Sequence, residues 1–108
     1  MQRQQRHAGA FRVDGLGRLC LDGQEVAAYL FQAPTDDIQW RRLREIVNGI
    51  IRSSGQTGMR ELPAVAHEMR DILSGPPSVL AAERLNAGFD RIVQLLKAAR
   101  SGLFVAIP

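Results

Sequence analysis

The chain has 108 residues, 45% of them apolar and 23% charged, with a formal net charge of +3. That length suits one domain with one core, and so mild a positive charge permits an acidic partner without arguing for nucleic acid. One cysteine, Cys20, excludes an internal disulfide and fits a reducing compartment, and no apolar run approaches the roughly 20 residues of a membrane span.

Residues 1–9 are polar and basic. With no long apolar region behind them they read as a flexible tail and not as a secretory signal. The single domain is then expected over 10–108. Residues 10–22 admit two readings. Phe11 and Val13 alternate, Asp14-Gly15 is a turn signal and 18–21 could return as a strand, which would make a short hairpin. The same stretch also reads as an irregular lead-in to a helix.

From Gly23 to Gln32 the spacing favours helix, with Val26, Ala27, Leu30 and Phe31 on one stripe. Ala33-Pro34 breaks it. Thr35 or Asp36 can accept the first amide hydrogens of the next helix, and Asp37 suits the positive end of its dipole. That helix is predicted over about 37–53, its stripe formed by Leu43, Ile46, Val47, Ile50 and Ile51. The joint SSGQTG at 53–58 lets the chain reverse.

A third helix is predicted over about 60–73, with Leu62, Val65, Ala66, Met69 and Leu73 on its stripe. Pro63 is compatible with it only in the first turn, where a missing N–H costs little. Ser74-Gly75-Pro76-Pro77 is a stop, and Ser78 reads as a cap or early position of a last helix. That helix turns Leu85, Phe89, Ile92, Val93 and Leu96 inward and ends at Ser101-Gly102. The apolar end 103–107 either packs back on the bundle or marks where a longer protein was cut. Four amphipathic helices joined by short loops make an all-α, antiparallel four-helix bundle.

The segment VNGIIRSSGQTG at 47–58 and VAHEMRD at 65–71, with FDRIVQLL at 89–96 behind them, resemble a histidine phosphotransfer domain. The likeness is to the N-terminal phosphotransfer domain of chemotaxis-type histidine kinases, and it spans about 36–100. In that family a helix carries a phospho-accepting His in a pattern like A-H-x-L-K-G-S-A-x-x-x-G, and the next helix often reads like L-A-H-E-L-E-D. The resemblance implies a helical bundle that docks response-regulator receiver domains or histidine kinases in the cytoplasm of bacteria.

Here the register puts Asn48 at the phospho-acceptor position, Ile51 at that of the helpful Lys and Arg52 at that of its following Gly. A carboxamide has no imidazole nitrogen and cannot form a phosphoramidate. Sliding the register by three puts Glu45 there, which cannot act as a phospho-histidine either. At about 100° per residue, Asn48 falls opposite Leu43, Ile46 and Ile50 and therefore points to solvent. Arg44 and Arg52 lie four residues to either side, with Arg41 and Glu45 nearby. The strip is a plain solvated helix face or a docking strip for an acidic partner, with Arg41, Arg44, Glu45, Asn48, Ile51 and Arg52 as the partner-binding residues.

HEMR at 67–70 also resembles the histidine box of sensor kinases, but Asp71-Ile72 follows where Thr-Pro would stand. The wheel puts His67 opposite Leu62, Met69 and Leu73 and so at the surface. It is a surface histidine first and a phospho-acceptor second. Nothing in the chain resembles an ATP-binding segment.

Other chemistries find no pattern. Cys20, His7 and His67 lack metal-ligand spacing, Ser53-Ser54 has no base placed beside it, and Gly15-Leu16-Gly17 is not followed by the Lys-Ser/Thr of a phosphate loop. No cofactor is implied, and the chain reads as a non-enzyme. Trp40 could be an interface anchor or a partly buried residue at a helix start. The competing functions are a small basic helical nucleic-acid binder, suggested by the arginines and the basic tail, and a dimerisation or structural domain that uses 103–107.

Overall fold

The computed structural model describes residues 8–100, with side chains from Gly15 onward. Four helices follow in order: α1 (Ala8–Gln32), α2 (Asp37–Ser54), α3 (Glu61–Ser74) and α4 (Val79–Arg100). The tail residues 1–7, the Ser101-Gly102 stop and the apolar end 103–107 lie outside the described residues.

Each helix packs on its neighbours in sequence, and α1 closes the ring against α4 in the most extensive seam. Short loops make neighbours antiparallel, and the pairings across the seams agree. Gly17 faces the level of Lys97 while Gly23 faces Phe89, and Met69 of α3 meets Gly88 of α4. The result is the all-α, up-down-up-down bundle expected from the stripes.

One buried cluster runs through the ring. Leu16, Cys20 and Leu30 come from α1 and Leu43, Val47 and Ile50 from α2, while Leu62 and Met69 of α3 meet Leu85, Phe89, Ile92 and Leu96 of α4. At about 25 cal/mol per Å² of apolar surface, burial of these side chains is the main term favouring the fold.

The local signals act as their chemistry suggests. Asp36 is the N-cap of α2, its Oδ1 accepting from the Ile38 and Gln39 amides at 3.1 and 3.3 Å. Ser78 caps α4, its Oγ accepting from the Ala81 amide at 3.0 Å. Pro63 is the third residue of α3, within the turn whose amides have no helical partner anyway. In the joint, Thr57 Oγ1 donates to the Ser54 carbonyl at 2.7 Å and accepts from the Met59 amide at 3.1 Å. Gly58 turns the chain at φ +76°, a left-handed conformation that glycine adopts without a Cβ penalty.

Three expectations need correction. Residues 10–22 form neither a hairpin nor an irregular lead-in: they are continuous with 23–32 in α1, and Ala8 and Gly9 of the expected tail join them. Leu16 and Cys20 continue the stripe of Gly23, Ala27 and Leu30 at steps of three and four, so one buried face outweighs the local turn signal at Asp14-Gly15. Phe31 is 37% exposed and does not share the buried stripe of Val26, Ala27 and Leu30. Of the two readings of Trp40 the buried one holds: at the start of α2 it is enclosed in the core, and Nε1 donates to the Pro34 carbonyl at 2.8 Å. Ile51 is half-buried and packs on the core, so it contributes less to the outer strip than its position in the pattern implied.

Among the described residues no helix is long and apolar enough to cross a membrane.

Candidate partner-docking face

The outer face of α2 carries Arg41, Arg44, Glu45, Asn48 and Arg52, all exposed. They are exposed because Leu43, Ile46, Val47 and Ile50 commit the opposite face to the core. Part of this strip borders a cleft. Arg44 and Asn48 line a cleft of about 200 Å³ between α2 and α3, and its other wall is Arg70, Leu73 and Ser74. The cleft is therefore lined by one arginine from each helix, together with Asn48 and the half-buried Leu73. Ser74 Oγ donates to the Arg70 carbonyl at 3.2 Å in the last turn of α3.

The strip is thereby divided. Arg44 and Asn48 lean to the α3 side. Arg52 leans to the α1 side, where its guanidinium Nη2 lies 3.9 Å from where a Cβ would stand on Gly49. Arg41 and Glu45 stay on the outer face and do not line the cleft.

Arg70 is the functional candidate that the helix pattern alone did not single out as part of the site. A signal for it existed. Asn48 is six residues before the end of α2 and His67 six residues after the start of α3, so in an antiparallel hairpin they sit at about the same height. Arg70, one turn on, falls between the heights of Asn48 and Arg44. Its angle on the wheel, between the apolar stripe and His67, turns it toward α2. His67 is exposed, as its wheel position predicts, but it does not line the cleft.

Chemically the cleft can accept anionic oxygen. Two guanidiniums offer planar, always-charged donors, and the Asn48 carboxamide adds a neutral NH2 donor. It holds no nucleophile beyond the Ser74 hydroxyl, which already donates within α3.

The other reactive groups are buried or scattered. Cys20 is fully buried, and desolvation pushes its thiol up to about 12, which leaves it protonated and inert at neutral pH. Ser54 is buried with its Oγ donating to the Ile51 carbonyl at 3.0 Å. Among the described residues no group of three or more His, Cys, Asp or Glu side chains is placed to hold a metal ion.

Fold and face together define an all-α four-helix bundle with a basic inter-helix cleft. No family model matches the chain, and neither a curated protein nor a solved structure does.

Proposed function

We propose that this chain is a non-catalytic, phosphotransfer-like docking module. Its α2–α3 face binds the acidic pocket of a response-regulator receiver domain, or a histidine kinase, and modulates two-component signalling without carrying phosphate. Such partners are cytoplasmic and bacterial, and so is the protein on this reading.

One observation carries the reading. The residue that the resemblance aligns with the phospho-acceptor, Asn48, lies exposed at a cleft flanked by Arg44 and Arg70. The amide cannot accept a phosphoryl group, whereas the arginines can steer and orient an acidic surface.

Calorimetric titration against a panel of receiver domains and kinases tests it. Binding is expected to weaken with salt, because exposed charges are screened beyond about 8–10 Å. The double variant Arg44→Glu/Arg70→Glu should lower affinity at least tenfold while leaving the thermal transition unchanged, since both side chains are exposed. Absence of binding across the panel would falsify the reading.

A second reading keeps its place because His67 is exposed at about the height of Asn48. On that reading His67 accepts phosphate from an active kinase or a phosphorylated receiver, and the chain carries an acid-labile label that His67→Gln abolishes. No label on the wild type rules it out.

A further inference from the structure

The two ends of the bundle differ in charge and in exposed apolar surface. At one end α1 and α3 finish and α2 and α4 begin, so its terminal turns and loops are residues 29–40 and 71–82. These hold three carboxylates, Asp36, Asp37 and Asp71, and no Lys, Arg or His, in a chain with 14 Lys and Arg. Among the described residues six large hydrophobics are exposed, and five of them are here: Tyr29, Phe31, Ile38, Val79 and Leu80. The first cations below this end are Arg41 and Arg70.

The opposite end is basic. Its described terminal turns, 51–64 and 97–100, carry exposed Arg52, Arg60 and Lys97 against one carboxylate, Glu61, and Arg100 is already engaged within the chain. An open groove at this end is lined by half-exposed Met59, Leu95 and Ala99 beside Arg60. We propose that the acidic, apolar end of one copy docks on the basic end of a second copy, head to tail.

Exposed hydrophobics scattered singly need no explanation, but five gathered at one end of a bundle mark an interaction surface. Charge selects the occupant. Two acidic ends face to face would oppose carboxylate to carboxylate, and an anionic membrane surface would be repelled in the same way. The basic end of a second copy offers the complementary sign and, in the Met59–Leu95–Ala99 groove, an apolar seat for Ile38 or Leu80. The two surfaces are different, so the contact is heterologous: each copy added leaves another acidic end open. A bundle end is about two helix diameters on a side, roughly 20–24 Å, which is less than the roughly 800 Å² per partner of a standard interface. The association is therefore weak and needs concentrated protein. It does not depend on whether a signalling partner binds at Arg44 and Arg70.

Sedimentation equilibrium of the full chain up to millimolar concentration tests the proposal. The mean mass is expected to rise past that of two chains at about 0.01 M salt, and to fall back toward one chain at about 1 M, where charges are screened within about 3 Å. Ile38→Lys/Asp71→Lys makes both ends basic, and Arg60→Glu/Lys97→Glu makes both acidic. All four positions are exposed, so thermal melts should stay close to wild type. Each variant alone should remain at the mass of one chain. Their equimolar mixture should associate, because one supplies the native basic end and the other the native acidic end. Leu80→Gln changes no charge and should weaken association at least threefold. The proposal is overturned if the wild type stays at one chain's mass, if the mass stops at two chains, if salt leaves it unchanged, if the mixture does not associate, or if Leu80→Gln associates as wild type does.

Discussion

The ring of Phe89 on α4 lies against the backbone of Gly23 on α1, so closely that a Cβ on Gly23 would stand within 2.6 Å of the ring's Cε2. Phe89 is fully buried and cannot retreat to solvent. A glycine normally weakens a helix interior by about 1 kcal/mol relative to alanine. Here it lets the two longest helices of the bundle approach across a full-sized aromatic ring.

Gly23→Ala is therefore expected to destabilise despite its better helix propensity, by about 1–3 kcal/mol of overpacking. Gly15→Ala, on the same helix where a Cβ meets nothing within 4 Å, should instead stabilise by roughly 0.5–1 kcal/mol. Urea denaturation of the pair decides it. If both variants shift the midpoint the same way, the Gly23–Phe89 contact does not control the approach of α1 and α4.

Trp40 is the only tryptophan in the chain and is 3% exposed. Its emission should be blue-shifted in the folded protein and resistant to iodide quenching, and both properties should be lost on unfolding. Trp40→Phe keeps most of the apolar volume and removes the hydrogen bond to the Pro34 carbonyl, at a cost of about 1 kcal/mol. Ready quenching in the native state would return Trp40 to the surface as an anchor.

Cys20 makes stability depend on alkaline pH. Burial raises its pKa from the ordinary 9.0 to about 12. The folded state therefore holds the proton that the unfolded chain releases between those values. The stabilisation is complete below about pH 9 and is lost as pH rises toward 12, on the order of 1 kcal/mol per pH unit. The stability gap between wild type and Cys20→Ala should narrow over that window and stay constant below it. A thiol reagent at pH 8 should label Cys20 only at the rate of global opening.

The helix caps give a paired test. Asp36→Ala strips two first-turn amides and Ser78→Ala one of the side-chain acceptor, and each should cost about 1 kcal/mol. The two caps are on different helices and share no partner, so the double variant should lose the sum. A markedly larger loss would mean that the loops at this end of the bundle act as one unit.

Periodicity alone was enough to read three of the four helices, their loops and most of the buried face. Repeats of apolar residues at three and four are a local property, as are an Asp before a helix or a Pro after one. The exposure of Arg44, Asn48, Arg52 and His67 followed from the same wheels, because a stripe committed to the core determines what faces water. Tertiary packing decided the rest. Residues 10–22 carry turn signals that only the long seam with α4 overrides, so α1 is one helix because its stripe has a partner. Phe31 belongs to the stripe by spacing yet faces solvent, because only the packed neighbours decide how wide a stripe is covered, and Trp40 is held in the core by its bond to the Pro34 carbonyl. The α2–α3 cleft joins Arg44 with Arg70, more than twenty residues apart, and no local pattern records which helices stand side by side.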